Sequence, residues 1–444
     1  MNSMKKVKLS PFQIMLIGFL SVILIGSIIL MFPFASKNRE YTPFIDSLFT
    51  STSAVCVTGL VVFDTATHWS LFGQIVILLL IQIGGMGVVM MATSFALISG
   101  RKIGLFERDT LKEAISAPSI GGIVRLTGFV LKGIITIEFL GAILLLPVFI
   151  KDYGTQGIWM AIFHSISAFC NAGFDIMGSA TGELSSLTSF SNNAYLNIVV
   201  MLLIIIGGIG FLTWEDIATN KFRISKYRMQ SKVVLIFTLI LIFFPALYFF
   251  LFEFNTLPIG ERIFVSLFQA VTPRTAGFNT IDLLSINGVG IIMMMFLMLV
   301  GGAPGSTAGG MKVTTLAVLF STVLSAFKNK DEVSIMKRRI EKGAVRNATT
   351  LLYIYISLFL IVGSLISLIE GLPVLPSLFE AASALGTVGL SLSITASLGV
   401  ASKIMLMILM LLGRVGSLTF IHATLGKVYN NNVSKYPVER ITVG

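Results

Sequence analysis

SLFTSTSAVCVTG, residues 47–59, is a short hydroxyl-rich segment that ends in glycine and is flanked on both sides by long apolar runs. The same pattern returns three times, as AIFHSISAFCNAG (161–173), SLFQAVTPRTAG (266–277) and SLFEAASALGTVG (377–389). After each comes a glycine doublet or its variant: Gly84-Gly85, Gly207-Gly208, Gly301-Gly302 and Gly413-Arg414. From the segment's glycine to that cluster the spacing is 25, 34, 24 and 24 residues, and the repeat period is 114, 104 and 112. Four copies of span–loop–span can surround one axis, which is the plan of a cation pore. The expected fold is therefore an all-α polytopic membrane protein with four such repeats about a pseudo-four-fold central pore.

Composition supports the membrane reading. Of 444 residues, 55% are hydrophobic and 12% charged, about half the charged share of a soluble domain. Roughly 20 apolar residues cross the hydrocarbon core. Eight spans are expected near 12–34, 70–98, 125–150, 194–213, 231–252, 288–326 (interrupted), 347–369 and 401–426. They group into repeats at 12–99, 125–214, 231–327 and 347–426, with a C-terminal tail at 427–444. The run at 12–34 follows Lys5, Lys6 and Lys8 but exceeds a signal-peptide core, and no small-residue cleavage site follows it. The four short segments are too short to cross. Each can descend as a helix and return extended, and bare backbone at that depth is tolerated where it lines a watery cavity.

The charges orient the chain. The joints at 99–125, 214–232 and 327–346, with the termini, hold 23 of the 32 Lys and Arg, whereas the opposite face has only Lys37, Arg39, Lys151, Arg262, Arg274 and Lys403. The positive-inside rule places both termini and the three joints in the cytoplasm, so the expected location is the cell membrane. The outer side is acidic, with Asp46, Asp64, Asp152, Asp175, Glu380 and others outnumbering the six bases. A negative mouth raises local cation concentration. The net charge of +11 is thus a topology signal, and no nucleic-acid-reading motif accompanies it.

A dehydrated cation needs oxygens in place of its water shell, and rings of backbone carbonyls supply them in selectivity filters. Aiming successive carbonyls at one axis demands unusual dihedrals and close approach, which glycine permits. One such glycine per repeat makes a ring of Gly59, Gly173, Gly277 and Gly389. Val57-Thr58, Asn171-Ala172, Thr275-Ala276 and Thr387-Val388 would add carbonyls, with K+ held at these oxygens. The alternative, helix-packing glycines, suits the Gly84 and Gly207 clusters better than the segment endings.

The T-G, N-A-G, T-A-G and V-G endings resemble those of the Ktr/Trk/HKT superfamily of potassium transporters. Because the chain opens directly with repeat one, the resemblance is greatest to the Ktr branch, from about residue 12 to the C-terminus. It implies potassium uptake, with Na+ as an activating ion and no covalent cofactor. It implies a homodimer with one pore per protomer and a cytoplasmic ring of RCK-type nucleotide-binding regulatory subunits. In plant relatives that favour sodium, serine replaces the first filter glycine, so Gly59 implies a preference for potassium. The first segment reads V-T-G-L, where potassium channels carry T-V-G-Y-G.

Residues 300–312, VGGAPGSTAGGMK, place five glycines and a proline inside an apolar span. No regular helix holds there. Gly301, Gly302, Gly305, Gly309 and Gly310 are read as a flexible gate below the filter, and the resemblance implies an intramembrane gating loop at this position. A phosphate-binding loop is excluded, because Met311 intervenes before Lys312 and Val313 follows. Lys312 and Arg414 are cations at membrane depth, where insertion costs at least about 2.5–3.5 kcal/mol. They either repel passing ions or satisfy loop carbonyls and hold the gate shut. Glu138 reads as an ion relay or a partner within a helix interface. Cys56 and Cys170 read as small packing residues, since two thiols make no metal cluster. No cluster of His or carboxylates in the spans suggests an enzyme. The rival reading is a secondary solute transporter built on repeats.

Overall fold

The computed structural model describes residues 10–115, 117 and 119–416. The expected tail at 427–444, the end of the last span, and Lys5, Lys6, Lys8, Lys427, Lys435 and Arg440 lie outside these residues.

Each repeat opens with a long apolar helix, follows with a short one, and closes with a further apolar helix, which breaks in the first three. Repeat one holds α1 (Pro11–Met31), α2 (Phe44–Val55), α3 (Leu71–Met86) and α4 (Val88–Ile98), with α5 (Leu105–Ala114) in the joint. Repeat two holds α6 (Ile123–Tyr153), α7 (Gln156–Cys170), the single turn α8 (Gly178–Thr181), α9 (Ala194–Gly208) and α10 (Phe211–Asn220). Repeat three holds α11 (Met229–Tyr248), α12 (Ile259–Val271), α13 (Gly288–Leu299) and α14 (Val313–Phe327). Repeat four holds α15 (Lys342–Glu370), α16 (Val374–Gly386) and α17 (Val400–Val415). A two-residue hairpin, Ser334–Ile335 with Arg338–Arg339, decorates the last basic joint.

The helix starts are written locally. Ser10 and Gln13 form a capping box at α1, with Pro11 in the first turn. Ser70, Asn193 and Asn287 cap α3, α9 and α13 through their side chains. Such caps satisfy N–H groups that have no intrahelical partner. At α17 the cap position is Gly399, and Glu370 from the end of α15 accepts its N–H at 2.9 Å.

The sequence suggests one interrupted span, and the structure shows more. The expected span at 70–98 bends by 96° between α3 and α4, and that at 194–213 bends by 99° between α9 and α10. The pivots are Gly87 and Gly210, at φ 84° and 88°. Gly416, at φ 91°, is the C-cap of α17. Each of these three glycines follows its cluster as G-x-x-G: Gly84 to Gly87, Gly207 to Gly210, Gly413 to Gly416. Side chains rarely adopt positive φ, so these breaks are built into the chain. Gly301 in repeat three is followed by Pro304 instead, and there the break opens into the loop at 300–312.

The repeats close on themselves. Helix α3 packs on α7, α9 on α12, α13 on α16, and α17 on α2. Every closing helix thus rests on the short helix of the next repeat, and the fourth returns to the first. A buried ion pair, Lys403 Nζ to Asp46 Oδ1 at 2.8 Å, sits across that last seam.

Candidate functional site

The four short helices end at one place. Their last turns lead into Val57–Gly59, Asn171–Gly173, Thr275–Gly277 and Thr387–Gly389, and these segments touch in cyclic order. A Cβ built on Gly59 would lie 2.3 Å from the carbonyl oxygen of Ala172. On Gly173 it would lie 2.7 Å from that of Ala276, on Gly277 2.3 Å from that of Val388, and on Gly389 2.3 Å from that of Thr58. All twelve residues singled out in the sequence are therefore gathered into one closed ring of main chain, tight enough to exclude side chains at the glycines.

The dihedrals alternate. Val57, Asn171, Thr275 and Thr387 have φ of 56°, 59°, 81° and 53°. The four glycines have φ between 68° and 93°. The residue between each pair keeps a negative φ. An ordinary extended strand points successive carbonyls to opposite sides, and reversing the sign of φ at every second residue undoes that alternation.

The N–H groups are tied back to the short helices. Thr58 N donates to Ser53 O at 2.8 Å and Gly59 N to Ser53 Oγ at 3.0 Å. Val388 N and Gly389 N bond Ser383 O and Oγ at 2.8 and 3.0 Å. Ala172 N donates to Ser167 O at 2.8 Å, and Ala276 N to Thr272 O at 2.9 Å. Ser167 Oγ and Thr272 Oγ1 instead donate forward to Phe174 O and Phe278 O, at 2.6 and 2.7 Å. With the donors turned away, the oxygens are left for the interior. These four hydroxyls were not singled out in the sequence. Their signal was there, six residues before the glycine in three repeats and five in the shorter third. Thr58 Oγ1, Thr275 Oγ1, Thr387 Oγ1 and Asn171 Oδ1 are buried and have no hydrogen-bond partner among the described residues. Oxygen without a partner on all four sides of a ring suits a bare cation.

On one side of the ring lies a vestibule of about 280 Å³, floored by the four glycines. Asp64, Asp175 and Asp282 line it with hydroxyls of Ser391 and Thr395. Asp64 is held by the N–H groups of Ala66, Thr67 and Leu184, each at 2.9 Å. Asp175 is pushed up to about 7, first by burial and then by the nearby Asp64 charge, against the bonds from Met177 N and Ser186. Behind the fourth segment, Glu380 accepts from Ser391 and from Thr395, the latter at 2.8 Å.

On the other side the loop at 300–312 lies against the ring. It is a knot of main-chain bonds: Gly301 N to Met311 O at 2.8 Å and Val313 N to Gly302 O at 3.0 Å. Repeat two grips it through Ala303 N to Gly208 O (2.8 Å), Thr307 N to Gly207 O (3.2 Å) and Phe211 N to Gly305 O (2.7 Å). Repeat four grips it through Gly310 N to Gly413 O at 3.2 Å. The loop touches the ring itself. Asn171 Nδ2 donates to Thr307 Oγ1 at 2.8 Å, and a Cβ on Gly309 would stand 2.0 Å from Thr387 Oγ1.

Lys312 and Arg414 both line the cavity of about 300 Å³ below the loop. Lys312 Nζ donates to Ala308 O at 2.7 Å. Arg414 donates to Thr307 O, to Gly84 O, and to Gly85 O at 2.9 Å. Neither cation has a carboxylate partner among the described residues. Of the two roles weighed for Arg414, the one it visibly takes is binding loop carbonyls. Glu138 stands apart from the axis, in a helix interface with Gln82 Nε2 at 3.2 Å and Cys170 Sγ at 3.8 Å. Cys56 and Cys170 are buried and free.

The chain's likeness to known proteins agrees with this geometry. A family described as TrkH, cation transport protein, matches residues 6–427. The potassium/sodium uptake protein NtpJ of Enterococcus hirae is 41% identical, covering 98% of each chain. The Ktr system potassium uptake protein B of Bacillus subtilis is 36% identical over 99% of this chain and 98% of its own. The potassium transporter TrkH from Vibrio parahaemolyticus has the same fold, with a TM-score of 0.74 over 97% of this chain and 88% of that one at 18% identity.

Proposed function

The chain belongs to the TrkH family of cation transport proteins, and from that premise we propose that it takes up potassium through the ring of Gly59, Gly173, Gly277 and Gly389. It is a transporter, not an enzyme. The closed cycle of glycine-to-carbonyl contacts carries this reading. Potassium sheds its water to the carbonyls of the twelve ring residues, while the C-terminal ends of α2, α7, α12 and α16 turn their partial negative charge toward it. The acidic vestibule gathers cations before the ring. Sodium acts as an activating ion.

The loop at 300–312 is the gate, with Gly301, Gly302, Gly305, Gly309 and Gly310 allowing it to refold and Arg414 and Lys312 pinning it across the path. A cytoplasmic ring of RCK-type subunits docks on the basic joints of a homodimer in the cell membrane and drives the release. The orientation, with both termini inside, rests on the distribution of basic residues.

A secondary solute transporter on inverted repeats would bring broken helices of opposite direction to the midplane. Here the four repeats present the same end to one ring, which favours the pore. The test is growth of cells lacking potassium uptake at low external potassium, with this chain alone and with a cytoplasmic RCK subunit. Rescue that needs the chain and grows with the subunit supports the reading; failure of rescue by a chain that reaches the membrane overturns it.

A further inference from the structure

Away from the pore axis, on the vestibule face between repeats one and two, lies a cleft of about 1090 Å³. One wall is Phe32, Phe34 and Tyr41, at the end of α1. The other is Trp69, Gln74 and Trp159, from α3's approach and α7. Phe32 stacks on Phe34 with centroids 5.5 Å apart, and Phe34 meets Phe72 edge-on at 5.1 Å. Phe34 and Tyr41 are 54% and 69% exposed, so this fence faces outward rather than into a core. The cleft lies where α1 ends and α3 and α7 begin, which is the level at which membrane proteins carry their aromatic belts.

Its charge is opposite to that of the vestibule beside it. Lys37 and Arg39 stand at its rim, both exposed. Neither has an ion-pair partner among the described residues. The other bases of this face are mostly engaged. Lys403 is paired with Asp46, Arg262 lies 4.3 Å over the Phe250 ring, and Arg274 is buried near Thr238. Of the bases left without an ion pair on this face among the described residues, Lys37, Arg39 and Lys151, two stand together at one aromatic cleft. A further donor waits in the wall: the indole N–H of Trp69, a residue 1% exposed, finds no acceptor among the described residues.

We infer that this cleft seats the headgroup of an anionic phospholipid, with Lys37 and Arg39 on its phosphate and the aromatic fence along its glycerol and upper acyl chains. Ammonium and guanidinium groups are the usual partners of phosphate oxygens. The volume slightly exceeds the roughly 300–1,000 Å³ of small-molecule sites, which leaves room for an extended amphiphile. An amphiphile with a charged head satisfies both the unpaired cations and the apolar wall; inorganic phosphate satisfies only the first.

The test uses the cleft's own tryptophans. The full chain is placed in phosphatidylcholine vesicles containing brominated phosphatidylglycerol or, at equal mole fraction, brominated phosphatidylcholine. Trp214→Phe removes the third tryptophan, which lies beyond the bend toward the opposite face, so that emission reports Trp69 and Trp159. Quenching by the anionic lipid at least twice that by the zwitterionic one is expected. Lys37→Gln with Arg39→Gln should bring the two to equality, and millimolar inorganic phosphate should leave the difference intact. Equal quenching in the parent chain, a preference that survives the double substitution, or relief by inorganic phosphate overturns the proposal. Should Trp214→Phe fail to fold, native mass spectrometry of the otherwise unaltered chain replaces it. One phosphatidylglycerol fewer retained after Lys37→Gln/Arg39→Gln is then the expected result, and an unchanged count is the refutation.

Discussion

Arg414, on the last helix, donates a hydrogen bond to the carbonyl of Thr307 in the third-repeat loop, while its other terminal nitrogen holds Gly84 and Gly85 in repeat one. One side chain thus ties three repeats together directly beneath the ring. Bonds from a charged donor are worth roughly 1.5–3 kcal/mol each, against about 1 for a neutral one, so the bond to Thr307 outweighs any single main-chain bond that grips the loop.

Arg414→Gln should therefore raise potassium flux severalfold in vesicles, and removing part of 301–311 should raise it further. Tracer uptake at matched protein density measures this. Kinetics indistinguishable from the parent chain would show that the loop is not the barrier.

The glycine ring makes a sharper demand. A side chain at Gly277 meets both a positive φ of 84° and the carbonyl of Val388, 2.3 Å from the added Cβ. Gly277→Ser is expected to raise the KM for potassium by about tenfold, or ~1.4 kcal/mol, without abolishing membrane insertion. An unchanged KM would remove Gly277 from the ion path.

Asp175 gives the vestibule a pH dependence. Its carboxyl is pushed up to about 7, so it holds its proton at pH 6 and loses it by pH 8. Ionisation adds negative charge at the mouth and speeds cation arrival. Initial uptake at sub-saturating potassium should rise about twofold as external pH goes from 6 to 8, and Asp175→Asn should flatten the profile. A slope that persists in that variant would assign the effect elsewhere.

The seam between first and last repeats is held by Lys403 and Asp46, both mostly buried. Breaking a buried pair by removing one partner costs about 3–5 kcal/mol, while replacing both with apolar residues is often close to neutral. Lys403→Met should lower the melting temperature markedly, and Asp46→Leu with Lys403→Met should recover most of it. Equal loss in single and double variants would mean that packing, not charge, governs the seam.

Much of this was legible in the chain. The four segments ending in Gly59, Gly173, Gly277 and Gly389 declare themselves because a left-handed, side-chain-free position tolerates little but glycine, so function leaves a mark at a fixed spacing. The loop at 300–312 is equally visible, since glycine and proline inside an apolar span contradict the helix that hydrophobicity alone would predict. The bends at Gly87 and Gly210 were harder to see. A glycine within an apolar helix is also an ordinary packing residue, and only the backbone angle separates the two.

What the sequence alone determined was the count: four repeats, their order, their periodicity and the glycines where main chain must come close, all of them local properties of composition and conformation. What the tertiary structure decided was adjacency. Ser53, Ser167, Thr272 and Ser383 became anchors only when the returning strands laid their N–H groups on them. Arg414 acquired Gly84 and Gly85 as partners, and Lys403 acquired Asp46, only because the fourth repeat closes onto the first. Contacts between residues hundreds of positions apart depend on the whole chain packing at once, and no local pattern records them.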